Sequence, residues 1–270
     1  MTFDRWMKLL LSWELQAFPN AVYHSDCWYA FTPLGLMYQV FVLRDRSGFV
    51  SLEYSASPLI APLVAEPGNS MKKLIFGRPK YRAFHEHARL HPEKEYGAHS
   101  IEYYFRTGQA QQPEHEALLR LVCKEVIVPY FRRIQTIQDL YDSCCAVTEE
   151  GEKDLWLTLR HGDGGYVFSY LHRQQEGLSA LYRMREACIA RSRASFAEWL
   201  AKGYKEEDLN IQTILERNRT AYDTEEQLLL LPDSVQQQRL REIFDENCSK
   251  INEMLHITPH FDLDSIFPAQ

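Results

Sequence analysis

Three runs of aromatic and β-branched residues between positions 21 and 54, set apart by short turn signals, constrain this chain most. The first, Ala21 to Phe31, reads AVYHSDCWYAF and leads into Thr32-Pro33-Leu34-Gly35, a turn by composition. The second, Leu36 to Leu43, reads LMYQVFVL and is followed by the polar Arg44-Asp45-Arg46-Ser47-Gly48, with Gly at its end. The third, Phe49 to Tyr54, alternates Phe49, Ser51 and Glu53 against Val50, Leu52 and Tyr54. Strands joined this closely pair antiparallel, because a parallel crossover needs a dozen residues or more. An antiparallel aromatic meander is therefore expected. One face packs on helices. The other is covered by the chain's own helices or offers aromatic surface to a partner.

Helical patterns flank the meander. In Met1 to Ala17 the apolar residues Trp6, Leu9, Leu10, Trp13 and Ala17 follow i, i+3, i+4, i+7, so these five are read as one helix face. Pro113 opens a second helix at a favoured first-turn position, with Glu114 and Glu116 at its positive end. Pro129 is expected to end or kink it. Thr136-Ile137-Gln138-Asp139 resembles a helix-capping sequence. Pro58, Pro62 and Pro67 mark residues 57–68 as loop or edge, and Ser100 to Phe105 reads as a further strand.

The C-terminal half differs in charge and pattern. Residues 147–270 hold 14 Lys/Arg against 22 Asp/Glu, whereas residues 1–112 hold 12 against 10. Asp154 to Leu159 and Tyr166 to Leu171 read as short strands. A long amphipathic helix from Leu178 ends at Gly203, and helices follow over Leu209 to Tyr222 and from Pro232. The expected fold class is α+β. An N-terminal antiparallel sheet domain with flanking helices spans 1–146, and a mainly helical part spans 147–270.

The net charge of −7 disfavours non-specific nucleic-acid binding by the whole surface. No unbroken apolar stretch with a cleavage site opens the chain, and no run approaches the ~20 residues that span a bilayer. A cytoplasmic location without membrane association is expected. The six cysteines form neither a CxxC pair nor a metal-finger spacing, and are read as reduced thiols.

The order of residues 1–145 resembles a bacterial α+β domain family of unknown function, common in gut bacteria. The resemblance runs through Trp28-Tyr29, the hairpin ending in Phe49-Val50-Ser51-Leu52-Glu53-Tyr54, and the step at Pro58-Leu59. It continues through Val126-Ile127-Val128-Pro129-Tyr130-Phe131 and the short helix at Ile137-Gln138-Asp139-Leu140. It implies an α+β fold and assigns no catalytic residue.

Three clusters carry candidate chemistry. Arg160-His161-Gly162 with Asp163, after a presumptive strand, is similar to the start of histidine phosphatases. There His attacks phosphorus and Arg neutralises phosphoryl oxygens. That family's second Arg and later His–acid pair are not recognisable here, and a glycine-rich turn between two strands explains the segment equally simply. His85, His87 and His91 form the second cluster. His87 and His91 share a helix face, but no regular structure aligns all three, and HExH is not the HExxH of zinc proteases. A solvated polar segment without metal is the expectation; Glu95 or His99 would be the additional ligands. The third cluster is basic: Lys72, Lys73, Arg78, Lys80, Arg82 and Arg89, with Tyr81 and Phe84 interleaved, a pattern that can grip anions or nucleic acid. An ordinary solvated face is the simpler reading. With no complete catalytic set and no cofactor motif, the leading expectation is a non-catalytic bacterial protein that binds another protein, immunity-like or accessory. A phosphatase and an anion or nucleic-acid binder are the alternatives.

Overall fold

A computed structural model describes residues 1–44, 48–63, 81–91, 105–109, 111–145, 163–205, 209–220 and 222–268. The chain divides into two compact units, Met1–Ser143 with Arg241–Gln270, and Cys144–Leu240.

The first unit is built on an antiparallel sheet. Its strands are β1 (Val22–His24), β2 (Cys27–Phe31), β3 (Leu36–Arg44), β4 (Phe49–Pro58) and β5 (Tyr81–Arg82) in sequential order, with β6 (Phe105–Arg106) also beside β4. The first aromatic run is thus a hairpin rather than one strand. Ser25 and Asp26 both adopt positive φ, at 47° and 61°, and His24 pairs with Cys27. Two central residues of positive φ match the right-handed twist of the flanking strands, and Asp tolerates that conformation. β4 runs on to Pro58, opposite Leu36, past the Tyr54 at which the alternation ended. Pro58 closes the strand, a position at which proline costs the ladder little.

Both faces of the central strands are buried. Trp28, Tyr38, Val40 and Tyr54 lie on one face, and Tyr29, Phe31, Met37, Gln39 and Phe41 on the other. No aromatic face of β2 or β3 is left for a partner. The first face packs on Tyr130 and Phe131 of α4 (Val128–Arg133), the end of a helical stretch that runs through α3 (Pro113–Val122) and a π-helical turn (Cys123–Ile127), while helix α1 (Phe3–Glu14) lies against β1, β2 and the π-turn. Phe131 stacks on Tyr38 with centroids 4.4 Å apart and on Trp28 at 6.1 Å. The buried Tyr38 hydroxyl lies 2.6 Å from the Ile134 carbonyl and 2.9 Å from that of Phe131.

The helix continues through Pro129 instead of ending there, and the π-turn closes two residues earlier, at Ile127. Helix α1 also departs from expectation. It buries Trp6, Met7, Leu10 and Leu11, while Leu9 and Trp13 are 56% and 65% exposed. The true apolar face is turned so that Met7, Leu11 and the following Leu15 meet the core; the i, i+3, i+4 pattern fitted two overlapping faces. The cap before helix α5 (Ile137–Cys145) forms as read: the Asp139 carboxylate accepts from the Gln135 and Thr136 amides, and the Asp139 amide donates to Thr136 Oγ1.

The second unit is helical. Helix α6 (Asp163–Tyr170) occupies the segment read as the strand Tyr166 to Leu171, and Gly164 to Ser169 are all buried. A helix buried all round has no amphipathic period, which is why the apolar run mimicked a strand. The glycines serve close approach. A Cβ at Gly165 would stand 2.5 Å from Glu225 Cβ, and one at Gly177 would stand 2.8 Å from Phe168 Cβ. Gly165 faces α9 (Asp223–Leu230) and Gly177 lies on α7 (Gln174–Ala201). At the end of α7, Gly203 takes φ +90°, the Tyr204 amide reaches the Trp199 carbonyl and the Gly203 amide that of Leu200. This is the Schellman arrangement that the glycine foretold. Helix α8 (Ile211–Thr220) and the first turns of α10 (Asp233–Leu255) complete the unit.

Residues 241–270 group with the sheet unit and not with the helical one. The buried Asn247 of α10 donates to the carbonyls of Leu59 and Ala61, each at 2.8 Å, and accepts from the Leu63 amide at 3.2 Å. Phe244 and Ile266, the latter in α11 (Leu263–Ile266), close over Gly35, where φ is +79°. These contacts tie the C-terminal segment to the β3–β4 end of the sheet. Among the described residues, no helix is long and apolar enough to cross a membrane.

Candidate metal centre

Helix α2 (Ala83–Leu90) carries the histidines. Its inner face, Ala83, Phe84 and His87, is buried, and it packs against β4, β5, α3 and the π-turn. Its outer face holds Arg89, which pairs with Glu86 at 3.4 Å. His91 caps the helix, its amide donating to the His87 carbonyl at 3.1 Å. The four-residue spacing places the two rings side by side, centroids 4.6 Å apart and tilted by 41°.

Opposite them stands Glu125, from the π-turn. Its Oε2 lies 2.6 Å from His91 Nε2 and 3.3 Å from His87 Nε2. One donor atom from each of the three residues falls within 4.8 Å of the other two. His87 is wholly buried, while the side chains of His91 and Glu125 keep 28% and 33% of their exposure. One ligand is therefore anchored in the core and two border solvent, so an ion would have an entry path. Two imidazole nitrogens and a carboxylate oxygen suit zinc and its borderline neighbours, and leave a fourth tetrahedral position for water or another ligand. Without an ion, the same groups form a His–carboxylate pair that ties α2 to the π-turn.

His85 is half-exposed and stands 3.8 Å from Glu86, as a solvated polar segment requires. His87, by contrast, is buried. Of the three histidines, the fold brings together the two that share a helix face. Their third partner lies 34 residues downstream on another element, and no local motif links it to them. The proposed extra ligands Glu95 and His99 lie outside the described residues. An acidic residue at the edge of the apolar stripe Val122, Val126 and Ile127 was the one signal available.

Of the basic cluster, Arg82 pairs with Glu53 across β4 and β5 at 3.6 Å, and Arg89 with Glu86. Lys72, Lys73, Arg78 and Lys80 lie outside the described residues, as do Arg160 and His161. Asp163 opens α6, so the segment from that residue onward is a helix and not the second strand of a glycine turn. Cys27 and Cys123 are buried and Cys188 and Cys248 half-buried, and none of the four is in a disulfide. Burial pushes the Cys123 thiol up to about 12 and the Cys248 thiol up to about 11. No protein-family model, curated protein or solved structure matches this chain.

Proposed function

We propose that this protein binds a divalent transition-metal ion of the zinc type through His87, His91 and Glu125. The supporting observation is the spacing of donors. Two ligand atoms at ~2.0–2.1 Å from one ion and at a tetrahedral angle lie about 3.3 Å apart. His87 Nε2 and Glu125 Oε2 stand at that separation, 3.3 Å. His91 Nε2 is hydrogen-bonded to Glu125 at 2.6 Å and would draw back from it, and all three donor atoms already lie within 4.8 Å of one another. Calorimetric titration of metal-free protein with zinc, and with cobalt(II) as an optical probe, tests the reading. One ion per chain is expected, lost in His87→Ala and Glu125→Ala. Equal uptake by wild type and both variants, or none by wild type, refutes it.

A second reading, binding to another protein, draws support from the outer face of α1, where Leu9 and Trp13 are exposed. Aromatic residues are favoured at the centres of interfaces. A partner captured by the wild-type chain and lost with a Leu9→Ser/Trp13→Ser variant would support it; equal capture by both would sink it.

A further inference from the structure

The π-turn over Cys123–Ile127 is an irregularity in an otherwise continuous helical stretch, and it carries Glu125. The Val128 amide bonds to the Cys123 carbonyl, five residues back instead of four. Backbone dihedrals on both sides, at Val122 and Val128, are ordinary α values. The deviation is therefore local and needs a local cause.

Pro129 supplies one. In a regular α-helix its nitrogen would donate to the carbonyl four residues back, that of Glu125. Proline has no N–H to give, and its ring crowds that carbonyl. Widening the turn relieves the clash. Such wide turns inside α-helices are rare and often fall at functional sites. The extra residue in the turn also changes where Glu125 points relative to the buried Val122, Cys123, Val126 and Ile127 around it. Pro129 itself is exposed, so core packing does not explain why a helix interior tolerates it.

We infer that Pro129 is a positioning residue for the metal centre: by imposing the π-turn it aims the Glu125 carboxylate at His87 and His91. The inference rests on the metal reading above. An exposed proline outside the ligand set controls affinity for the ion, and removing it weakens the site while easing the helix.

The test replaces Pro129 in the full chain by Ala and, separately, by Lys. The two replacements differ in size and charge and share the restored backbone N–H. Cobalt(II) and zinc titrations give affinity, the visible cobalt spectrum gives coordination, and thermal unfolding of the metal-free protein gives stability. Loss of supporting groups around metal ligands commonly weakens binding 10–100-fold. Both variants are expected to bind at least 10-fold more weakly than wild type. The intense tetrahedral cobalt bands should fade towards a weak octahedral spectrum, with melting temperatures equal to or above wild type. Affinity and spectrum unchanged in both variants, while His87→Ala abolishes binding, overturns the role of Pro129 and leaves the metal site standing. Weakened binding accompanied by an equally large fall in melting temperature also overturns it, since general unfolding then explains the loss. No cobalt binding by wild type overturns both.

Discussion

Replacing Asn247 by Ala removes the amide that fastens α10 to the sheet. The side chain is 1% exposed, donates two hydrogen bonds of 2.8 Å to the Leu59 and Ala61 carbonyls and accepts one of 3.2 Å from the Leu63 amide. At about 1 kcal/mol net per bond, the three together are worth about 3 kcal/mol. For a unit of this size that corresponds to a fall in melting temperature of roughly 6–12 °C. Asn247→Asp should be worse at neutral pH. It keeps the shape but faces two carbonyl oxygens with a carboxylate that has no proton to donate. Its folded-state pKa is thereby raised above the unfolded value of about 3.9. The extra penalty is absent below that value and grows as pH rises, so the Asp and Ala variants converge in acid. Thermal and urea unfolding followed by circular dichroism give the global loss. Hydrogen exchange at the Leu63 amide gives a local one, since that N–H loses its acceptor. A loss under 1 kcal/mol for Asn247→Ala with an unchanged Leu63 exchange rate would refute the reasoning.

Tyr38→Phe keeps the ring stack on Phe131 and deletes only the hydroxyl bonded at the end of α4. It should cost about 1–2 kcal/mol in urea unfolding, mostly from the Ile134 carbonyl left without its donor. Gly165→Ala would ordinarily gain from helix propensity, yet its Cβ meets Glu225 at 2.5 Å. A net loss of about 1–3 kcal/mol is expected from overpacking, whereas Gly108→Ala, with nothing within 4 Å, should stay within about 0.5 kcal/mol. Burial raises the Glu225 carboxyl above its ordinary value, which disfavours the charged form in the folded chain. Stability of the second unit is therefore lost as pH rises from the unfolded towards the folded value. Glu225→Gln should raise the melting temperature at pH 7 and leave it unchanged near pH 3; the reverse order would contradict the assignment. Cys123, held as a thiol by burial, should resist alkylation by iodoacetamide at pH 8 in the native protein and react fully in urea.

Local chemistry made much of this protein legible from its residues alone. Alternating aromatic and β-branched residues around Thr32-Pro33-Leu34-Gly35 and Gly48 specify β2, β3 and β4, because period-two burial and tight turns are set within a few residues. The Thr136–Asp139 cap and the Gly203 stop are local for the same reason. Three matters were decided by contacts distant in sequence. Helix α6 is buried on every side, which erases the periodicity that marks a helix and made Tyr166 to Leu171 look like a strand. The segment 241–270 joins the sheet unit through Asn247 and Ile266, whose partners lie some two hundred residues earlier. The metal centre joins a helical His pair, readable from its spacing of four, to Glu125, which only the meeting of α2 with the π-turn brings within 3.3 Å. Ligand geometry is a property of three-dimensional distance, and a sequence encodes distance only along the chain.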